Sequence, residues 1–127
     1  MKLFGVGTDI IRVNRLKRSL KNKSFLSRIF SAEEIFKCKK TKRNLNCFAK
    51  RFAAKEAFSK ALGTGISKGI FFNEIIILNE KNGKPYIKLH SRTKKIVEKK
   101  IKKKKYKISL SMSDEKDYAV AFVTISI

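Results

Sequence analysis

The segment Asn46–Leu62, NCFAKRFAAKEAFSKAL, constrains this chain more than any other. At about 100° per residue, its apolar and small side chains go almost all the way round a helix. Such a helix belongs in the middle of a fold, not on its surface. Asn46 is the expected N-cap and Gly63 the expected C-terminal stop. Ala49, Ala53 and Ala57 make one side thin, so another element can approach closely. Glu56 lies on that side, four residues before Lys60.

The other elements arrange themselves around this helix. Residues 3–10, LFGVGTDI, alternate as a strand, with Phe4, Val6 and Thr8 on one face and Gly5, Gly7 and Asp9 on the other. Two glycines on one strand face mark a close approach of another backbone. Residues 11–21 read as a helix with Val13, Leu16 and Leu20 inward and Arg12, Arg15, Arg18 and Lys21 outward. Ser31 followed by Glu34 is a capping box, so a helix starts after Ser31. GTGISKG at 63–69 is a glycine-rich loop. Strands at 73–79 and 86–89 flank Asn82-Gly83-Lys84-Pro85, a hairpin signal. Ser91 to Lys103 is an amphipathic helix with Ile96, Val97 and Ile101 inward. Strands at 107–113 and 118–126 flank the polar turn Asp114–Asp117. The order predicts an α+β fold, a mainly antiparallel sheet packed on a central helix.

The 127 residues suit one domain, and 43% apolar content with ten Phe suits a packed core. The longest aliphatic run, Ile75–Leu78, is too short to span a bilayer. MKLFGVGTD lacks the apolar stretch of a signal peptide, so a cytoplasmic location is expected. Cys38 and Cys47, nine positions apart, are expected to be ordinary reduced thiols. Lys and Arg number 32 against 10 acids, a net charge of +22. This basicity points either to a polyanionic partner or to a lysine-rich composition, since 25 of the 32 are Lys. The lysines of 99–105 read as a solvated helix end. There is no Walker loop, no GxGxxG and no His/Cys ligand cluster, and the only histidine, His90, sits at a strand end.

Two carboxylates stand out by environment. If the glycine face of the first strand packs on the alanine face of the helix, Asp9 and Glu56 point into one cleft. Two acids brought together there call for a cation, and two hard oxygens beside open water suit Mg²⁺. The alternative is that Glu56 simply pairs with Lys60 along the helix, worth about 0.2–0.5 kcal/mol, while Asp9 caps the helix that follows.

GVGTDI at 5–10, RFAAKEAFSKALGTGI at 51–66, NGKPYI at 82–87 and SMSDEKDYAVAFV at 111–123 resemble the holo-(acyl-carrier-protein) synthases, the short type of 4′-phosphopantetheinyl transferase. The four blocks stand in the family's order and spacing, and the resemblance covers essentially the whole chain. The resemblance implies a homotrimer with active sites at subunit interfaces. It implies transfer of 4′-phosphopantetheine from coenzyme A to a serine of apo acyl carrier protein, releasing adenosine 3′,5′-bisphosphate. The family's Mg²⁺ carboxylates fall on Asp9 and Glu56. Its phosphate-side lysine falls on Lys60, and its coenzyme-binding residues on Lys60, Gly63, Thr64, Gly65, Asn82, Gly83, Lys84, Pro85, Ser111, Ser113 and Asp114. Glu56, through a water held by the metal, is the candidate base for the serine proton. Arg15, Arg18, Lys21 and Arg28 would meet the acidic carrier, with Phe25 or Leu26 as apolar anchor, raising the association rate in a salt-sensitive way.

Two positions depart from the family pattern. Asp114 stands where a histidine is common, and Arg12 where a glutamate is usual. The rival reading is a basic module that binds RNA or an anionic surface through its lysines. It lacks an aromatic RNP-type run and a GXXG clamp, so no specific nucleic-acid partner is expected.

Overall fold

A computed structural model describes residues 1–64, 69–103 and 105–127. It has five strands and five helices among those residues: β1 (Leu3–Arg12), α1 (Leu16–Ser19), α2 (Lys23–Ile29), α3 (Ala32–Lys40), α4 (Asn44–Leu62), β2 (Ile75–Asn79), β3 (Pro85–Leu89), α5 (Ser91–Ile101), β4 (Lys107–Asp114) and β5 (Tyr118–Ser126). Short 3-10 turns at Val13–Arg15 and Phe72–Glu74 join elements. This is the expected α+β architecture. The sheet comes in two antiparallel parts, a three-stranded β1-β5-β4 and a hairpin β2-β3.

Helix α4 is central because its sequence leaves no polar stripe. Ala49, Ala53, Ala54, Ala57 and Phe58 are fully buried. Its thin side lies under β1. A Cβ on Gly7 would sit 1.8 Å from the Ala57 carbonyl oxygen, and one on Gly5 equally close to that of Ala61. Only glycine lets strand and helix backbones meet this way. Ala119, Ala121, Val123 and Ile125 of β5 complete the buried face above α4. On the opposite, outer face of the sheet, Val6, Ile10, Val120 and Phe122 remain exposed.

The helix α3 starts as expected: Ser31 Oγ accepts from Glu34 N, and Glu34 Oε1 accepts from Ser31 N. Gly63 ends α4 at φ +85°, a left-handed position that suits glycine. Gly83 takes φ +91° in the β2-β3 turn, where Asn82 Oδ1 accepts from Lys84 N.

Four expectations are corrected. Residues 11–21 are not one helix. Strand β1 runs on through Arg12, because Ile11 and Arg12 pair with Ala119 and Tyr118. Val13 N then bonds Asp117 O, and the helix shrinks to a 3-10 turn and the short α1. Asp9 therefore lies inside a strand and caps nothing. Asn46 is no N-cap, since α4 starts at Asn44 and the Asn46 amide instead donates to Asp114 Oδ2 and Glu115 O. Cys38 and Cys47 are not free thiols but a disulfide. The end of α3 and the first turns of α4 run side by side, which brings their Cα atoms to 5.4 Å.

Candidate active site

Asp9 and Glu56 reach one cleft by the packing just described. Asp9 follows Gly5 and Gly7 on the inner face of β1, and Glu56 precedes Ala57 on the helix side pressed against that strand. Both line a cleft of about 440 Å³ together with Ile10, Arg15, Phe25 and Phe52. Glu56 is half-buried. Burial raises its carboxyl pKa above the ordinary 4.5, Asp9's charge raises it further, and Lys60 opposes both.

Lys60 stands one turn beyond Glu56. Its ammonium donates to Asp9 Oδ1 at 3.1 Å and to the Thr8 carbonyl at 2.9 Å. Among the described residues its ion pair is therefore with Asp9, not with Glu56 along the helix. The acids fit a hard divalent cation. They share one cavity, and Asp9's charge adds to the burial that raises the Glu56 carboxyl pKa; among the described residues no third His, Cys, Asp or Glu joins them. A cation held by two protein oxygens, with water or phosphate completing its shell, matches the habit of Mg²⁺.

A second cleft was missed by sequence reasoning. Lys37, Lys42, Arg43, Lys50 and Arg51 line it, with Asn79 and Asp114. On a helix, positions 46, 47, 50 and 51 face one way and 52, 56 and 60 another, so the two clefts open on different sides of α4. Arg51 is buried, donating through Nη2 to Asn79 Oδ1 at 2.8 Å and through Nη1 to the Cys47 carbonyl. Its Nε is buried with no partner among the described residues. Lys37 also donates to Asn79 Oδ1, and burial together with the charges of Arg51 and Lys50 lowers its pKa. A lysine-rich sequence gave no sign that these five would converge, because α3, the α3–α4 connection and α4 contribute them.

The remaining expected residues divide. Asp114 lies in the basic cleft, 3.4 Å from Lys50 Nζ. Ser111 and Ser113 alternate to the other, exposed side of β4 and do not face it. Asn82, Gly83 and Lys84 are exposed at the hairpin tip, and Pro85 pairs with Asn79. Asn79 Nδ2 donates to Gly83 O, which ties that tip to the basic cleft. Gly63 and Thr64 follow α4 directly, while Gly65 lies outside the described residues. Of the docking set, Arg15 and Phe25 line the acid cleft, and Arg18, Lys21 and Arg28 are exposed beside it. Arg12 points outward and donates to the Tyr118 hydroxyl at 3.0 Å. His90 is exposed, immediately before α5.

The 4′-phosphopantetheinyl transferase superfamily (ACPS) model matches residues 5–123. The holo-(acyl-carrier-protein) synthase of Pelagibacter ubique is 46% identical over 98% of both chains. Among solved structures, the Neisseria meningitidis synthase superposes with TM-score 0.85 at 37% identity, covering 98% of this chain and 99% of that one. The Bacillus anthracis synthase in complex with CoA (3′,5′-ADP) gives TM-score 0.80 at 35% identity over 99% and 98%. The Helicobacter pylori synthase in complex with coenzyme A gives 0.79 at 31% over 95% and 99%. With a glycine strand laid on an alanine helix and an acid from each in one cleft, this chain belongs to the holo-(acyl-carrier-protein) synthases of the 4′-phosphopantetheinyl transferase superfamily.

Proposed function

We propose that this chain, acting over residues 1–127 as one transferase domain, moves 4′-phosphopantetheine from coenzyme A to a serine of an apo acyl carrier protein and releases adenosine 3′,5′-bisphosphate. The observation that carries this reading is the meeting of Asp9 and Glu56 in one cleft, with Lys60 bonded to Asp9 beside it. Asp9 and Glu56 would hold Mg²⁺. When bound, that ion supplies charge neutralisation to the diphosphate, worth several kcal/mol in phosphoryl transfer generally.

The chain's own groups do the rest. Lys60 presents a point charge to phosphate, and its third N–H is free of the two bonds described above. Glu56 is the candidate acceptor of the serine proton. Its raised proton affinity suits a base, provided the pH keeps it ionised. The basic cleft, with Arg51 Nε unpaired among the described residues, suits the coenzyme's other phosphates, and the Asn82–Pro85 tip stands at its side. Gly63 and Thr64, with Gly65 after them, are assigned to the same coenzyme. Lys50 offsets the charge of Asp114, and the Asn46 amide donates to it, so its carboxylate can stand in a basic cleft without repelling phosphate outright. Ser111 and Ser113 face the outer sheet side, which would bring them to a neighbouring subunit.

The acid pair and the basic cleft open on different sides of α4, and this supports a site shared between copies. The outer stripe of Val6, Ile10, Val120 and Phe122 offers the surface, and Ile10 belongs to both the stripe and the acid cleft. The reading is a homotrimer. The carrier protein would meet Arg15, Arg18, Lys21 and Arg28 around Phe25, at the mouth of the acid cleft. No helix among the described residues is long and apolar enough to cross a membrane.

Titration with coenzyme A plus Mg²⁺, set against titration with RNA, separates this reading from a general basic binder. Coenzyme binding that weakens in Glu56→Gln when Mg²⁺ is present supports it. Binding of both ligands that ignores Glu56 and collapses together with salt would overturn it.

A further inference from the structure

The Lys60 ammonium is held by two different acceptors. One is the Thr8 carbonyl at 2.9 Å, a fixed backbone group of β1. The other is Asp9 Oδ1 at 3.1 Å. The lysine side chain is 54% exposed and the aspartate 19%. A largely exposed ammonium therefore occupies one oxygen of a mostly covered carboxylate. A cation seeking Asp9 must compete with a positive charge already on that oxygen.

We propose that Lys60 is an exchangeable counter-ion for Asp9, which keeps a divalent cation weakly bound until a diphosphate arrives to take the ammonium. This rests on the reading of Asp9 and Glu56 as the cation's carboxylates and adds a role for Lys60 before the chemistry. The bond to Thr8 tethers the ammonium to β1, so it pivots from Asp9 toward phosphate while staying beside the strand. Its remaining N–H and its exposure give it somewhere to turn. Cation and diphosphate then favour each other's binding, and the linkage is reciprocal. Glu56 makes the exchange productive. With the ammonium turned away, Asp9 and Glu56 would hold the cation together, and its charge would offset Asp9's effect on Glu56.

The test is Mn²⁺ binding to the protein without coenzyme, read from the free-ion EPR signal and by calorimetry. Lys60 is surface-exposed, so its variants should fold, and circular dichroism checks this. Lys60→Gln is expected to bind Mn²⁺ about fivefold tighter than wild type, the scale of a partly exposed ion pair. Lys60→Arg, which keeps a charge within reach of Asp9, should restore weak binding. Arg15→Gln removes an equal charge from the same cleft, and Arg15 makes none of the described bonds to Asp9. It should leave affinity within about twofold. If Lys60→Gln does not tighten binding, or Arg15→Gln tightens it as much, the exchange role is overturned and only a general field remains. The double variant Asp9→Asn/Lys60→Gln separates the two levels of the claim. Loss of tight binding there supports the exchange at Asp9. Tight binding retained without Asp9, or no Mn²⁺ binding by any form, would overturn the acid-pair reading itself.

Discussion

Glu56 and Lys55 are neighbours on one helix with opposite electrostatic problems. Glu56's carboxyl is pushed above 4.5 by burial and by Asp9. The native state thus holds that proton more tightly than the unfolded chain. The stabilisation this gives is complete below 4.5 and is lost as pH rises through the raised folded value. Above that raised value, without a divalent cation, the ionised Glu56 destabilises the fold. Glu56→Gln should therefore melt no lower than wild type at pH 7 in chelator, and its advantage should shrink toward pH 4.5. The same variant should lose about 10²–10³-fold in transfer rate. Scanning fluorimetry and a carrier-loading assay on one preparation check both. Lys55 is buried, and its ammonium is pushed down to about 8 by burial, against the pull of Glu34. The unfolded chain holds that proton more tightly between about 8 and 10.5, so this group adds stability as pH rises through that window. Its three N–H groups go to Glu34 Oε1 and the Phe72 and Ile75 carbonyls, each at 2.7 Å. Glu34 Oε2 also accepts from Ile77 N. Glu34→Ala should cost about 3–5 kcal/mol in urea denaturation, since it strands a buried ammonium. Asp9, Glu56 and the Ser31–Glu34 box were legible in sequence because strand alternation and helix spacing fix them locally. The partners of Lys55 and Arg51 were not, because Glu34 of α3, the Phe72 and Ile75 carbonyls and Asn79 meet them only through tertiary packing, which leaves no periodic trace. Nor does a nine-residue spacing disclose whether two cysteine Cα atoms meet.

At the scale of elements, the β1–α4 contact is the joint on which the acid cleft depends. Gly7 lies against Ala57, and Asp9 and Glu56 stand just beyond on each partner. Gly7→Ala would drive a methyl into the Ala57 carbonyl, so strand and helix must part. The expected cost is about 3 kcal/mol or more, with loss of transfer out of proportion to any loss of coenzyme binding in the basic cleft. Chemical denaturation and a coenzyme titration measure the two separately. A stable, fully active Gly7→Ala would show that the close approach is not needed. This joint was readable beforehand, because glycine and alanine faces are side-chain facts. The end of β1 was not. Local periodicity in Val13, Leu16 and Leu20 favoured a helix from residue 11. Pairing of Ile11 and Arg12 with a strand more than a hundred residues later overrode it. The split of the sheet into three strands and a hairpin was likewise hidden, because the pattern within a strand does not say which strands pair.

For the whole molecule, two clefts on different sides of one helix fit the proposal that subunits share a ligand. Neither cleft was hidden by composition: the basic residues were plain, and their convergence was not. Phe122→Glu places a charge on the outer stripe without touching Asp9, Glu56 or the core beneath. It should turn the proposed trimer into monomers by light scattering and lower transfer by about 10²-fold or more, an effect like that of deleting a positioning group. Full activity in a monomer would break the shared-site reading. The central claim is that Asp9 and Glu56 together carry phosphopantetheine transfer. Intact-mass analysis of apo acyl carrier protein, incubated with the enzyme, coenzyme A and Mg²⁺, tests it most directly. Wild type should add one phosphopantetheine per carrier, and folded Asp9→Asn and Glu56→Gln should add essentially none in the same time. A carrier loaded at the wild-type rate by either variant would contradict the account.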